Sequence, residues 1–142
     1  MTFLIGSFFL TGSSGNTSVA NANTTAGNTT GVVTATISDG DIATLISTVN
    51  GSQTGLNETT NGAPATNGHK LAINLTESTV TDTQLTELAT RTAGTVTVSS
   101  STTLTGDFTA PTDLDIVLAD TSITGISKVN STAQSSSEKN GT

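Results

Sequence analysis

The feature that most constrains the fold of this chain is an internal spacing of 43 residues. Ile37 and Val80 are separated by this distance, and so are Val80 and Ile123. At the same offset, the segment ISDGDIATLI at 37–46 overlays VTDTQLTELA at 80–89 with its apolar positions matched. Self-similarity at a fixed period is typical of repeat architectures. The sequence therefore predicts that one structural unit recurs along the chain.

The clearest copy of this unit lies at 71–90 and combines two patterns. Its first part, LAINLT, alternates apolar and polar residues, which predicts a half-buried strand. Its second part, TDTQLTEL, begins with two residue types that favour helix N-caps and then spaces two leucines three apart, which predicts a short helix. The first part also overlays the segment at 114–118. By the same patterns, strands are expected near 32–37, 71–76, 95–99 and 114–118, and helices near 40–47 and 82–90.

We therefore predict an α/β repeat solenoid, in which short parallel strands form one sheet and short helices cover it. Strand–helix–strand units are expected to coil in the right-handed sense, and an all-β solenoid is the alternative if the helices are absent. The expected organisation is an apolar capping or assembly strand at 1–12, a polar linker at 13–31, the solenoid at 32–129 with units near 32–46, 71–90, 95–108 and 114–129, and a polar tail at 130–142.

Two segments of this region resemble the core of leucine-rich repeats. INLTESTV at 73–80 and IVLADTSI at 116–123 follow the family pattern L-x-L-x-x-N-x-L, although Ser78 and Thr121 stand where that family has Asn or Cys. The amino-acid sequence of 32–129 is also similar to the Thr-rich tandem repeats of large bacterial surface or adhesin-like proteins and of phage structural proteins. That resemblance implies an exposed structural role, outside the cell or in a virion, and no enzymatic activity.

Composition argues against several classes of function. The chain contains 33 Thr, 17 Ser and 11 Asn, and only 11% of its residues are charged. Its net charge is −7, and its basic side chains are Lys70, Arg91, Lys128 and Lys139. Because four scattered cations cannot neutralise a run of phosphates, nucleic acid and anionic membranes are not expected partners. Because the chain has no Cys, disulfides, thiol catalysis and sulfur-ligated metals are excluded.

The segment MTFLIGSFFL at 1–10 is the densest apolar stretch of the chain. It is too short to span a bilayer, and a secretion signal would want a basic start. It can also be residual sequence of a longer protein. An exposed strand of this kind tends to pair with another chain, so we expect self-association into an oligomer or filament. The residues assigned to this assembly are Phe3, Leu4, Ile5, Phe8, Phe9 and Leu10.

No group of residues predicts a catalytic, cofactor-binding or metal-binding site. Asp39 and Asp41 are oxygen ligands of the kind that Ca²⁺ prefers, but the spacing of a calcium loop is absent, and a turn with an N-cap for the following helix is the simpler interpretation. Asp107, Asp113, Asp115 and Asp120 are interpreted as surface charges. Glu77 and Glu87 form no evident acid–base pair. His69 has no marked nucleophile or acid beside it and is expected to be a solvent-exposed loop residue.

Hydroxyl side chains flank four apolar residues on both sides: Ile37, Val80, Leu104 and Ile123. Stacking of the units would align these hydroxyls into two columns. The residues are Thr36, Ser38, Thr79, Thr81, Thr103, Thr105, Ser122 and Thr124. Such an array resembles the ice-binding faces of solenoid antifreeze proteins, although Thr is also an ordinary outward strand residue. The eight Asn-x-Ser/Thr triplets, with Asn at 16, 23, 28, 50, 57, 74, 130 and 140, leave glycosylation open.

The sequence thus predicts a non-enzymatic structural or adhesive module of a surface protein, an extracellular filament or a phage virion. The alternative is a ligand-binding module for ice or a surface glycan, which would use the stacked hydroxyls. The absence of Trp and Tyr weighs against a glycan, because carbohydrate sites usually have an aromatic platform.

Overall fold

The computed structural model describes residues 16–28, 32–57, 68–108 and 114–132, which form an α/β fold with four helices and three sheets. The helices are α1 (Val19–Gly27), α2 (Ile42–Leu45), α3 (Asp82–Thr90) and α4 (Leu114–Ala119). The strands are β1 (Asn16–Thr17), β2 (Thr34–Ile37), β3 (Thr48–Val49), β4 (Ser52–Gln53), β5 (Lys70–Leu75), β6 (Thr79–Thr81), β7 (Val96–Val98), β8 (Thr103–Gly106), β9 (Ile123–Thr124) and β10 (Val129–Ser131).

Two of the sheets are parallel and one is a hairpin. The five-stranded sheet has the order β1-β2-β5-β7-β9, and the three-stranded sheet has the order β10-β8-β6. Strands β3 and β4 pair in the antiparallel sense around Asn50 and Gly51, which both have positive φ. An Asn-Gly pair with positive φ at both positions is the favoured two-residue hairpin turn, because its twist matches that of the strands.

The buried apolar side chains form one continuous cluster. Strands β5 and β7 contribute alternate residues to it, as period-two burial requires. Helix α3 contributes two leucines three residues apart, and α2 and α4 each contribute a pair with the same spacing. The main members of the cluster are Ile42, Leu45, Leu56, Leu71, Ile73, Leu75, Val80, Leu85, Leu88, Val96, Val98, Leu104, Leu114 and Val117.

Helix α3 confirms the prediction for 82–90 and shows why the helix begins there. The Thr81 Oγ1 accepts a hydrogen bond from the Gln84 N–H at 3.1 Å, and the Gln84 Oε1 accepts one from the Thr81 N–H at 2.9 Å. This capping box satisfies two backbone donors at the helix start. An N-cap of this kind stabilises a helix by about 1 kcal/mol.

The prediction of a repeat solenoid with one sheet is wrong, and so is the all-β alternative. The described strands are divided among three sheets, and segment 114–118, predicted as a strand, belongs to α4. Leu114 and Val117 are buried there, whereas Ile116 and Leu118 are about half exposed. A short apolar run fits either a strand or one face of a helix, and periodicity alone does not separate them.

The spacing of 43 residues does not connect equivalent positions. Ile37 and Ile123 lie in the five-stranded sheet, whereas Val80 pairs with Leu104 in the three-stranded sheet. Register partners in the five-stranded sheet are also unevenly spaced, since Ile73 pairs with Val96 and Val96 with Ile123. The matching apolar letters therefore reflect similar local patterns rather than one repeated unit.

The polar segment predicted as a linker at 13–31 contains β1 and α1. Ser18 is the N-cap of α1, and the Asp39 Oδ2 accepts a hydrogen bond from the Val19 N–H at 2.8 Å. Val19, Ala22 and Ala26 form its buried side. Alanines give little hydrophobic signal in a sequence, yet they allow a mostly polar helix to pack closely, which is why this helix was missed.

Candidate functional site

The outward side of the five-stranded sheet presents short polar side chains to solvent. Along β5, from Lys70 to Leu75, buried residues alternate with exposed or half-buried ones. Strand β7 buries both of its valines and exposes Thr97 between them. Strand β9 buries Ile123 and exposes Thr124. This alternation follows from the strand period of two, and it places Val, Leu and Ile in the core and hydroxyls outside.

Three of the exposed residues form a row across adjacent strands. The register pairs Asn74 with Thr97 and Thr97 with Thr124. The Thr124 Oγ1 donates to the Thr97 Oγ1 at 3.5 Å. A bond of this length is weak, so both hydroxyls can also bond an external partner. Since neighbouring strands lie about 4.8 Å apart, this hydroxyl row of Asn74, Thr97 and Thr124 offers one amide and two hydroxyls at that repeat.

Two further rows lie beside the first on β1, β2 and β5. In one, Asn16 pairs with Thr36 and Thr36 with Ala72; in the other, Thr34 pairs with Lys70. We call the outward positions of the three rows the hydroxyl face, which consists of Asn16, Thr34, Thr36, Lys70, Ala72, Asn74, Thr97 and Thr124. Lys70 is the charged member of this set. None of the set is acidic, although the chain has a net charge of −7, so the face is close to neutral.

The strands behind the hydroxyl row are held by a buried hydroxyl. The Thr92 Oγ1 donates to the Leu71 carbonyl at 2.8 Å and accepts from the Leu71 N–H at 3.0 Å and from the Gly94 N–H at 2.9 Å. A Cβ on Gly94 would overlap the Leu71 carbonyl, so glycine is required for this approach. These contacts fix β5 against the segment that enters β7 and keep Asn74 and Thr97 in register.

The structure divides the eight predicted hydroxyl residues between two sheets. Thr79 pairs with Thr103 and Thr81 with Thr105 in the three-stranded sheet. The other four, Thr36, Ser38, Ser122 and Thr124, lie in or next to the five-stranded sheet. Thr81 is also occupied as the N-cap of α3. The structure therefore does not bring the eight residues together on one sheet.

Two members of the hydroxyl row, Asn74 and Thr97, were not among the predicted site residues. Their signal was present in the sequence, because each lies between two apolar residues of a strand pattern. The sequence prediction instead aligned the hydroxyl residues by their positions relative to Val80. That residue belongs to the other sheet.

The interpretation of Asp41 as the N-cap of the following helix is confirmed, whereas Asp39 contacts the start of α1 and no turn is assigned at it. Asp41 is the N-cap of α2, and its Oδ1 accepts from the Ala43 N–H at 3.0 Å. Within the described ranges, no three His, Cys, Asp or Glu side chains are grouped so that they could hold a metal ion. Of the other aspartates, Asp107 donates its backbone N–H to the Asp82 Oδ2 at 3.2 Å, and Asp113 lies outside the described residues.

The prediction that His69 is a solvent-exposed loop residue is wrong. The side chain is fully buried, and its Nδ1 accepts a hydrogen bond from the Val33 N–H at 2.9 Å. Its Nε2 is buried and has no hydrogen-bond partner among the described residues. Burial lowers the pKa of His69 below its ordinary value of 6.5. The residue therefore joins β2 to β5 as a neutral imidazole.

Glu77 and Glu87 have separate roles. The Glu77 Oε1 accepts from the Ile42 N–H at 2.6 Å, and burial, assisted by the nearby Asp41 carboxylate, raises the pKa of Glu77. Glu87 pairs with buried Arg91 at 2.7 Å. The Arg91 Nη1 also donates to the Leu56 carbonyl at 2.9 Å. Both glutamates thus satisfy structural donors.

The predicted assembly residues Phe3, Leu4, Ile5, Phe8, Phe9 and Leu10 lie outside the described residues. Among the helices that the structure does describe, none is long and apolar enough to cross a membrane.

Comparison with known proteins found no matching family model, no matching curated protein and no matching solved structure.

Proposed function

We propose that this chain is a non-enzymatic adhesive module that makes contact through its hydroxyl face. Such a module would belong to a surface protein, an extracellular filament or a phage virion. The observation that carries the proposal is the hydroxyl row, in which Asn74, Thr97 and Thr124 are exposed and in register on three adjacent strands. The buried bonds of Thr92 support this row from behind.

The chemistry of the face suits a neutral, hydroxylated partner such as a surface glycan. Hydroxyls and amides both donate and accept hydrogen bonds, and the near absence of charge disfavours an ionic partner. Each net hydrogen bond is worth about 1 kcal/mol, and no Trp or Tyr is available to add a stacking platform. One module would therefore bind weakly, and useful adhesion would come from several linked copies.

Substitution at the centre of the row tests the proposal. Thr97→Lys places a long charged side chain between Asn74 and Thr124, whereas Thr24→Lys adds the same charge at an exposed position of α1. The protein is coupled to a multivalent scaffold and applied to an array of neutral oligosaccharides. We expect the parent and T24K to bind the same glycan and T97K to lose most of the signal. Absence of binding to every neutral glycan, or equal binding by T97K, would contradict the proposal.

Ice binding is the second candidate, and the Thr97–Thr124 pair favours it. The two hydroxyls lie on neighbouring strands, on a surface of small side chains. Thermal hysteresis of the protein at millimolar concentration is the measurement. Hysteresis that T97K removes and T24K preserves would support ice as the ligand, and its absence in the parent rejects this candidate.

We also infer that the chain self-associates through strand edges. Within the described residues, β1 and β9 each pair with a single neighbour, so each leaves an edge of backbone donors and acceptors. The apolar segment at 1–12 is the proposed partner for such an edge. Light scattering of a chain that lacks 1–12 tests this point: a smaller assembly is expected, and an unchanged one refutes the role of the segment.

A further inference from the structure

A groove of about 230 Å³ lies between α3 and α4, on the helix side of the five-stranded sheet. Its walls are mainly aliphatic, and polar residues also line it. The lining residues used below are Thr86, Ala89, Ile116, Val117, Asp120 and Ile123. Ile116 is 47% exposed, so the groove is open to solvent along α4.

Two polar atoms at this groove have unused hydrogen-bonding capacity. The Thr86 Oγ1 is buried and has no hydrogen-bond partner among the described residues, which is uncommon because burying an unbonded hydroxyl is unfavourable. The Asp120 Oδ1 accepts from the Ser122 N–H at 2.8 Å and from the Ser122 hydroxyl at 2.7 Å. These two bonds use one oxygen of the carboxylate, and a carboxylate has acceptor sites on both. A ligand in the groove that donates a hydrogen bond can use the carboxylate, whereas the Thr86 Oγ1 is buried in the wall.

The charge of the groove selects a cation. Asp120 is the charged residue of the lining, and none of the lining residues is basic. The whole chain carries a net charge of −7, so a cation is also attracted from a distance. An aliphatic stem would contact Ala89, Ile116 and Val117 while its charged end reaches the carboxylate.

We propose that this groove binds the side chain of a lysine presented by a partner protein. Four methylenes would pack on the aliphatic walls, and the ammonium group would donate to Asp120. Lysine fits better than arginine because the Asp120 Oδ1 is already bonded to Ser122. A guanidinium fork prefers both oxygens of a carboxylate, whereas an ammonium group is a compact donor that needs one. The open side of the groove admits a side chain attached to a larger body.

The test is a titration of the full chain with three capped tripeptides, Ac-Gly-Lys-Gly-NH2, its arginine analogue and its norleucine analogue. Norleucine keeps an aliphatic stem and lacks the ammonium group. Binding is followed by chemical-shift changes of backbone amides in a ¹H–¹⁵N NMR spectrum. We expect the lysine peptide to shift the amides of Thr86, Ile116, Asp120 and Ile123, and to bind more tightly than the other two.

Two matched variants separate this site from general attraction to an acidic protein. Asp120→Asn keeps the Oδ1 acceptor for Ser122 and removes the charge, and Asp115→Asn removes one exposed charge from the neighbouring helix α4. We expect D120N to weaken lysine-peptide binding about fivefold, as one ion pair allows, and D115N to leave it within about twofold.

Several results would overturn the proposal. They are the absence of shifts at millimolar lysine peptide, equal affinity for the norleucine peptide, and equal weakening by D115N and D120N. Groove binding by free 1,5-diaminopentane but not by the lysine peptide would replace the protein partner with a small diamine. Because Thr97→Lys lies on the opposite side of the sheet, it should leave this titration unchanged, so the groove and the hydroxyl face can fail independently.

Discussion

Acidification below neutral pH is expected to destabilise the fold through His69. The imidazole is fully buried, and burial lowers its pKa from the ordinary value of 6.5. A base with a lowered pKa in the folded state binds protons more weakly there than in the unfolded chain. Its contribution to stability is therefore fully present above pH 6.5 and is lost as the pH falls from 6.5 towards the folded pKa.

The size of the effect follows from the hydrogen bond that protonation breaks. In the neutral ring, Nδ1 accepts from the Val33 N–H at 2.9 Å. A proton on Nδ1 turns the acceptor into a donor, so two donors then face each other and the buried Val33 N–H loses its partner. Leaving a buried donor unsatisfied costs about 1–3 kcal/mol. Linkage limits the loss from one group with an unfolded pKa of 6.5 to about 2 kcal/mol at pH ~5, so we expect the free energy of unfolding to fall by about 1–2 kcal/mol between neutral pH and pH ~5.

The assay is urea unfolding followed by far-ultraviolet circular dichroism at several pH values. His69→Asn is the matched variant, because the amide oxygen of the new side chain can accept from Val33 and does not titrate. The parent and the variant should both carry Glu77→Gln, since the raised pKa of Glu77 gives a pH dependence of the opposite sign. We expect the chain that keeps His69 to lose stability relative to the H69N variant as the pH falls. Parallel pH profiles for the two proteins would refute the reasoning.

Three further perturbations test other contacts, each by urea unfolding. Glu77→Gln should raise the free energy of unfolding at pH 7. Burial, and secondarily Asp41, raises the pKa of Glu77, so its contribution to stability is present below the unfolded value of 4.5 and is lost as the pH rises through the folded pKa. An unchanged free energy of unfolding at pH 7 would contradict this. Gly94→Ala should lower the free energy of unfolding by about 1–3 kcal/mol, because the new Cβ overlaps a backbone carbonyl. Gly27→Ala has open space for its Cβ and should stabilise the end of α1 by about 0.5–1 kcal/mol. Equal effects of the two substitutions would reject the steric argument. Thr86→Val should raise the free energy of unfolding by about 1 kcal/mol, because it removes a buried hydroxyl that has no partner among the described residues. A loss of stability would indicate that this hydroxyl is bonded in solution.

Local patterns predicted several elements correctly because their causes are local. The alternation at 71–76 appears as β5, and the N-cap signals before α2 and α3 mark where those helices begin. The hairpin of β3 and β4 was missed even though its Asn-Gly turn is a strong local signal.

Other features depend on contacts between distant parts of the chain. Residue 116 could belong to a strand or to a helix by its local pattern, and packing of α4 against α3 decided for the helix. The burial of His69 depends on Val33, which is 36 residues away. Neither outcome has a local signature, so the sequence predicted a strand and an exposed loop residue in these two places.

The sequence by itself determined which side chains of β5 and β7 alternate between core and solvent, where helices α2 and α3 begin, and that the surface is hydroxyl-rich with little positive charge. Only the tertiary structure decided which strands pair, and therefore which hydroxyls share a face. The physical reason is that strand register is set by contacts across the sheet, so the residues that meet on it can be 20 to 36 positions apart. Asn74, Thr97 and Thr124 form a row because β5, β7 and β9 are neighbours, and no periodicity in the chain specifies that.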